Sequence, residues 1–256
     1  MLITGASGFV GSYISSDLSC NYELDAVSRQ KFLRGFKKVY SWSSVFDQIC
    51  DYDVVIHLAG LARDTNNQND EKAYFDVNHG LTSKIVKWIN DAEKPVKLIY
   101  LSSIKVYGES SEIDESSEKN PQSVYGRTKL AAENEIIKNL KAYHTYHILE
   151  PVMIYGEENK GNLPKLYNFL AKGFPYPFSN WKNNRSILAI QNLSFIISEF
   201  IKKDLESDFY IVADDTPIST KEIIEELFDA NNKAFVRFYL PKFFIQLLIN
   251  LSSKMG

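Results

Sequence analysis

The chain has 256 residues, 45% of them hydrophobic and 24% charged, with a formal net charge of −3 and a pI near 5.9. Such a chain suits one large α/β domain, or a main domain with a smaller appendage, and carries no basic field to hold nucleic acid. Its two cysteines, Cys20 and Cys50, have neither metal-ligand spacing nor a framework role, which predicts no metal site and a reducing, cytoplasmic setting.

Over roughly the first 150 residues, short apolar runs alternate with helical patterns, as in parallel βαβ units. Leu2-Ile3-Thr4 reads as the first strand, starting too early to leave room for a signal peptide. Gly5, Gly8 and Gly11 then open a helix over Phe9 to Leu18. A second strand runs from Leu24 to Ser28 and a short third one covers Lys38-Val39-Tyr40, with a helix near Ser44 to Ile49. Asp53 to Leu58 is continuously apolar, as a strand buried on both faces must be. The following helix places Ala73, Val77, Leu81, Ile85, Trp88 and Ile89 on one stripe. Lys97 to Ser102 is the fifth strand. Pro121 precedes a helix that buries Ala132, Ile136 and Leu140, and Tyr146 to Leu149 is a sixth strand ended by Pro151. Beyond this, Gly161, Pro164, Gly173, Pro175 and Pro177 punctuate shorter segments. They predict a smaller lobe over 156–256, interleaved with the end of the sheet and capping the carboxyl ends of the strands of a 1–155 domain. Phe243 to Leu251, interrupted by Gln246 and Asn250, is too short to span a bilayer and reads as an amphipathic helix.

The glycine run predicts dinucleotide binding. Gly5 and Gly8 permit a turn and close approach of phosphate, and Gly11 lets the helix pack near the strand. Backbone N–H groups from Ser7 through Phe9 and Val10 then face the pyrophosphate. Ser28-Arg29 stands where an acid usually holds the ribose hydroxyls, and this pair suits a 2′-phosphate. NADP is therefore favoured over NAD, although Arg29 also fits a solvated charge. Tyr125 and Lys129, four residues apart on one helix face, bring an ammonium near a phenol and so are expected to lower its pKa toward neutrality. Ser103, at the end of the fifth strand, supplies a hydroxyl to hold a substrate oxygen in line for proton transfer while nicotinamide carries hydride. Lys129 would also hold the nicotinamide ribose. His57 and His79 lack ligand spacing, and Arg63 fits a solvated loop better than a pyrophosphate contact.

Taken together, Thr4-Gly5-x-x-Gly8-x-x-Gly11, His57-Leu58-Ala59-Gly60, Asn78, Ser102-Ser103-x-x-Val106-Tyr107-Gly108, Tyr125-x-x-x-Lys129 and Pro151-x-x-x-Tyr155-Gly156 resemble the extended short-chain dehydrogenase/reductase family. This is the group of nucleotide-sugar epimerases, dehydratases and reductases. The resemblance implies a Rossmann-type doubly wound parallel sheet with a small C-terminal substrate-binding lobe. It adds Leu58, Ala59, Gly60, Asn78 and Pro151 to the cofactor contacts. On the substrate side it implies Asn162 and Leu163 at the diphosphate, Phe178 along the base and Arg185 on phosphate. A UDP-sugar substrate, and a homodimer through the helices of residues 71–90 and 122–141, are further family expectations.

Three departures narrow the expectation. The family's dehydratases carry Asp-Glu directly after the catalytic hydroxyl residue, where this chain has Ile104-Lys105, so dehydration is not expected. Glu150 replaces an Arg or Asn before Pro151 and puts that substrate contact in doubt. The Asp often found near the adenine is replaced around Ser41-Trp42. With Lys160-Gly161-Asn162-Leu163 and Asn184-Arg185-Ser186, the chain resembles bacterial surface-polysaccharide enzymes. That implies a UDP-4-keto-6-deoxy-N-acetylhexosamine 4-reductase first and a UDP-glucose or UDP-GlcNAc 4-epimerase second. A noncatalytic dinucleotide-binding protein is a third reading, opposed by the intact Ser103, Tyr125 and Lys129.

Overall fold

The apolar runs form strands whose alternate residues serve opposite faces of one sheet. The computed structural model describes residues 1–62, 71–110, 112–157, 159, 162–174, 176 and 183–235. The strands are β1 (Leu2–Thr4), β2 (Asp25–Val27), β3 (Lys38–Tyr40), β4 (Val54–His57), β5 (Lys97–Leu101), β6 (Thr145–Pro151), β7 (Met153–Tyr155), β8 (Ile187–Ala189) and β9 (Asp208–Val212). The helices are α1 (Phe9–Leu18), α2 (Glu71–Tyr74), α3 (Gly80–Asn90), α4 (Val124–Asn139), α5 (Asn162–Ala171), α6 (Ile190–Lys202) and α7 (Thr220–Ala230). The main sheet has seven strands in the order β3-β2-β1-β4-β5-β6-β9, every neighbouring pair parallel. It is the Rossmann-type doubly wound sheet expected. β7 and β8 form a separate two-stranded sheet.

Leu2, Val55, Leu98, Tyr100 and Ile148 pack on one face with Ile85, Val86, Trp88 and Ile89 of α3 and Ala132 and Ile136 of α4. Ile3, Val54, Ile56, Ile99 and Leu149 pack on the other with Ile14 of α1 and Leu193 and Ile197 of α6. Each fully buried aliphatic side chain contributes roughly 1.5–3 kcal/mol. Because the chain leaves β1 for β2 and β3 and then returns to β4 on the other side, a crevice opens at the carboxyl ends of β1 and β4, where open α/β sheets bind ligands.

Four local expectations change. Residues 44–49 form turns, not a helix. The backbone N–H groups of Ser41 and Ser44 each donate to the other's hydroxyl at 3.0 and 3.1 Å, an alternative to helical bonding. The helix over 71–90 is interrupted by a π-helical turn, Phe75–His79, which rotates the buried face. Tyr74, Asn78 and Thr82 are buried, while Ala73, Val77 and Leu81 are only half-buried. An apolar-only reading of periodicity cannot find a buried stripe whose first half is polar. Pro151 lies within β6, opposite Val212, at the strand end where a missing N–H is tolerated. Finally, residues 188–214, which the sequence reading placed in a smaller lobe interleaved with the end of the sheet, lie with the sheet because β9 pairs along β6.

By compactness the chain divides into a sheet unit, Met1–Gly156 with Leu188–Asp214, and a second unit, Glu157–Ile187 with Asp215–Gly256. The second unit has its own core of Leu170, Tyr176, Ile224 and Phe228. In it α7 begins with a reciprocal cap between Ser219 and Glu222. The predicted helix over 243–251 lies outside the described residues. Among the described residues, no helix is long and apolar enough to cross a membrane.

Two fully buried histidines make the sheet unit sensitive to acid. His57 is lowered from the ordinary 6.5 to about 3, mainly by burial and secondarily by the Lys129 charge. Burial lowers His147 to about 4, and neither of its ring nitrogens has a hydrogen-bond partner among the described residues. Below pH 6.5 the unfolded chain takes up protons that the folded chain refuses. Stability is therefore full above that pH and lost as pH falls toward 4, by roughly 1.4 kcal/mol per pH unit for each histidine. Urea titrations at pH 7 and pH 5 should show this loss, and His147→Phe should reduce it. An unchanged pH slope in that variant would contradict the assignment.

Candidate active site

The glycine turn is built by close approach. Gly5 has φ +73°, and a Cβ there would lie 2.7 Å from the Ala59 nitrogen; a Cβ at Gly11 would lie 2.2 Å from the Gly5 carbonyl oxygen. Gly8 caps α1 without any side-chain hydrogen bond. The first-turn amides that follow it therefore have no side-chain acceptor at the cap and suit an anion. Ser7 is exposed beside them, and Phe9 and Val10 pack into the core. This cradle fits a dinucleotide pyrophosphate. At the end of β2 the buried Ser28 hydroxyl accepts from the Gln30 N–H at 3.0 Å, and Arg29 is exposed.

Leu58, Ala59 and Gly60 follow β4. The Ala59 N–H donates to the Thr4 hydroxyl at 3.2 Å. A Cβ at Gly60 would stand 3.2 Å from Asn78 Oδ1 and 3.7 Å from Lys129 Nζ. Asn78 is buried and satisfied: it accepts from Leu61 N–H at 2.6 Å and donates to the Leu61 carbonyl at 3.1 Å and to the Thr128 hydroxyl at 2.9 Å. Its amide thus fixes the loop after β4 to α4. His57 is held by the hydroxyls of Thr4, at 2.7 Å on Nδ1, and Thr82, at 3.0 Å on Nε2. Since Thr82 donates its own proton to the Asn78 carbonyl at 2.7 Å, it accepts from Nε2–H, which leaves Nδ1 to accept from Thr4. A neutral imidazole with this role is structural, as expected.

Ser103, Tyr125 and Lys129 sit at the carboxyl end of β5. Ser123 caps α4, accepting from the Gly126 N–H at 3.0 Å. Gly126 lets the helix start press on the turn after β5, since a Cβ there would lie 2.4 Å from the Lys105 carbonyl oxygen. The Ser103 hydroxyl hydrogen-bonds the Tyr125 phenol and moderates the upward pKa shift that burial imposes on it. Ser102, by contrast, donates to Glu133, which separates the two serines chemically. Lys129 is buried and lowered to about 7 by burial, against an opposing pull from Glu133.

The expectation that Lys129 lowers the Tyr125 pKa is corrected here. The Lys129 ammonium donates to the Tyr100 hydroxyl at 2.9 Å and to the Leu101 carbonyl at 2.6 Å, and lies 4.3 Å from the Tyr100 ring centre. Its charge is directed at the end of β5, and the phenol of Tyr125 is raised. A cavity of about 280 Å³ is lined by Lys105, Gly108, Glu109, Gln122, Ser123 and Tyr125.

Glu150, doubtful as a substrate contact, belongs to a buried cluster. Lys119 pairs with both Glu133, at 2.8 Å, and Glu150, and Tyr107 donates to Glu150 at 2.8 Å. Sequence reasoning missed Tyr100, Lys119 and Glu133. The one available signal was Glu133 four residues after Lys129, on the same face as the apolar Ala132 and Ile136.

In the second unit, Leu163 is half-buried on α5, whose first residue is Asn162. Arg185 is exposed and its backbone bridges Ile218. Phe178 and Arg63 lie outside the described residues. No cluster of three or more metal-binding side chains occurs among the described residues.

Residues 1–203 match the family model described as "NAD dependent epimerase/dehydratase family". The chain is similar to a UDP-glucose 4-epimerase of Vibrio cholerae, 27% identical over 99% of this chain and 82% of the relative. It is 26% identical to an N-acetyl-alpha-D-glucosaminyl-diphospho-ditrans,octacis-undecaprenol 4-epimerase of Escherichia coli O157:H7, over 94% of this chain and 75% of the relative. The fold matches that of a UDP-glucuronic acid 4-epimerase from Bacillus cereus in complex with NAD, with TM-score 0.79, 22% identity and coverage of 93% and 85%.

Proposed function

The chain belongs to the NAD-dependent epimerase/dehydratase family, as an NAD(P)-dependent epimerase or reductase, and from that premise we propose that it epimerises a diphosphate-linked hexose at C4. The observation that carries this reading is the pairing of Ser103 with Tyr125, one helical turn from Lys129, with Ile104-Lys105 in place of the acid–base pair a dehydration needs. Two relatives named as 4-epimerases, aligned over nearly the whole chain, support it.

NAD held in the cradle would supply the hydride acceptor and, on the return, the donor. In its ionised form, which the Ser103 hydrogen bond favours against burial, the Tyr125 oxygen would take the proton from the C4 hydroxyl and return it after the ring presents its other face. Ser103 holds the same oxygen through its hydroxyl. Lys129 would hold the nicotinamide ribose. Gly5, Ser7, Gly8, Phe9, Val10 and Gly11 would take the pyrophosphate and Leu58, Ala59, Gly60 and Pro151 would line the cofactor, with Asn78 fixing the loop after β4. Asn162, Leu163, Phe178 and Arg185 are assigned the UDP diphosphate and base. A homodimer through the faces of α3 and α4 goes with this reading.

A second reading, reduction of a UDP-4-keto-6-deoxy-N-acetylhexosamine, is favoured by Ser28-Arg29, which suits NADPH. One assay separates them. Purified protein given UDP-glucose or UDP-GlcNAc without added cofactor should interconvert C4 epimers. If instead it consumes NADPH stoichiometrically with UDP-4-keto-6-deoxy-GlcNAc and forms no epimers, the reductase and its NADP preference replace the epimerase.

A further inference from the structure

Helix α4 carries two buried ionisable groups one turn apart, Lys129 and Glu133. The hydrogen-bond partners of the Lys129 ammonium are neutral, a phenol and a carbonyl. Glu133 is clamped from two sides, by Ser102 at the end of β5 and by Lys119 ahead of α4. Lys119 is shared with Glu150 of β6, so two buried carboxylates meet one ammonium, and with both ionised the set has one negative charge in excess. Lys129 is the neighbouring buried cation that closes it. A buried charge without a counter-charge gives up its ionisation rather than remain unpaired.

We propose that Glu133 is a positioning residue, the buried counter-ion that keeps the Lys129 ammonium charged, with Ser102 and Lys119 fixing its carboxylate in place. This rests on the role given to Lys129 under the proposed function, and it assigns Glu133 no contact with substrate. The pair is poised rather than locked: Glu133 is pushed up to about 7, chiefly by burial and then by Glu150, close to where Lys129 is lowered. The titratable groups facing the two are Tyr100 from β5, His57 from β4, Tyr125 on α4, Lys119 and Tyr107 from the segments ahead of α4, and Glu150 from β6. Of these, Glu133 is the carboxylate whose charge raises Lys129.

The test reads Lys129 directly, without substrate. In protein carrying [15N]lysine, the Lys129 amine resonance is assigned by its loss in Lys129→Met and titrated. Glu133→Gln should move its midpoint down by at least about one pH unit. Glu133→Asp, which keeps the charge, should leave it near the parent value, and Glu150→Gln should move it much less than Glu133→Gln. An unmoved midpoint in Glu133→Gln, or an equal shift in Glu150→Gln, overturns the proposal. Should Glu133→Gln not fold, [13C]glutamate titration of the unaltered protein decides: Glu133 and Lys129 must each inflect at the other's midpoint, and independent curves overturn the proposal. Loss of turnover in Tyr125→Phe is a separate result, so the catalytic reading and the counter-ion can fail independently.

Discussion

Tyr125→Phe lowers turnover of the interconverted hexose by roughly 100- to 10,000-fold, the usual worth of a positioned proton carrier, while leaving NAD affinity nearly unchanged. The substitution removes one oxygen from a half-buried ring and keeps the ring's packing. What is lost is the hydroxyl that Ser103 hydrogen-bonds, the group placed to exchange a proton with the C4 oxygen. The cradle at Gly5, Gly8 and Gly11 is untouched, so the cofactor still binds. Initial rates of epimer formation and fluorescence titration with NADH measure the two halves. Turnover within a factor of a few of the parent value would remove Tyr125 from the chemistry, and parallel loss of turnover and NADH binding would mark it as a cofactor ligand instead.

The second large effect is on stability. Lys119→Ala should cost about 3–5 kcal/mol at neutral pH, because it leaves buried carboxylates without their shared cation. Lys119 touches Glu133 and Glu150 through its ammonium, and that ammonium lies 4.0 Å from the Phe209 ring centre, so packing is lost as well as charge. The pH dependence carries the signature. Glu133 already titrates near 7 in the folded chain, above the ordinary 4.5, and removing Lys119 raises it further. Between these values the folded chain holds a proton that the unfolded chain releases, so the variant loses stability as pH rises through the window. The difference between variant and parent should therefore be smallest near pH 5 and largest above pH 7, when compared by urea midpoints at each pH. Taking the difference cancels the opposite trend of the two histidines. A difference independent of pH would mean that lost packing, and not uncompensated charge, accounts for the effect.

Much of the fold was legible because the signals were local. The glycine spacing marked the turn, since at Gly5 and Gly11 any side chain would meet backbone within 3 Å. β1, β3 and α1 fell on the residues expected, and β1, apolar in its first two residues and buried throughout, leaves the least latitude. The residues of the site itself were legible as motifs, but their mutual effects were not. That Lys129 turns toward Tyr100 and Leu101 depends on a strand that lies 28 residues earlier. Lys119, in a polar stretch between Glu118 and Asn120, looks like a surface charge until Glu150 and Glu133 are brought to it from two other elements. Thr82 escaped notice, and Asn78 was named through the family resemblance without its tether to Leu61 and Thr128, for a related reason: the role of a buried polar residue becomes predictable only when its hydrogen-bond partners are known.

The His57 imidazole links parts of the site that sequence order separates. Thr4, the last residue before the glycine turn, donates to it; it donates to Thr82; Thr82 donates to the Asn78 carbonyl. The Asn78 amide donates to Thr128, and Thr128 donates to the Tyr125 carbonyl at 2.9 Å. Mechanically this is one tether from the cofactor turn to the catalytic helix, with every donor in it used. Local opening at either end must break bonds that belong to the other, so the turn and the helix start should open as a single cooperative unit. Cofactor seated on the turn would then suppress fraying at Tyr125 as well, coupling occupancy of one subsite to the order of the next.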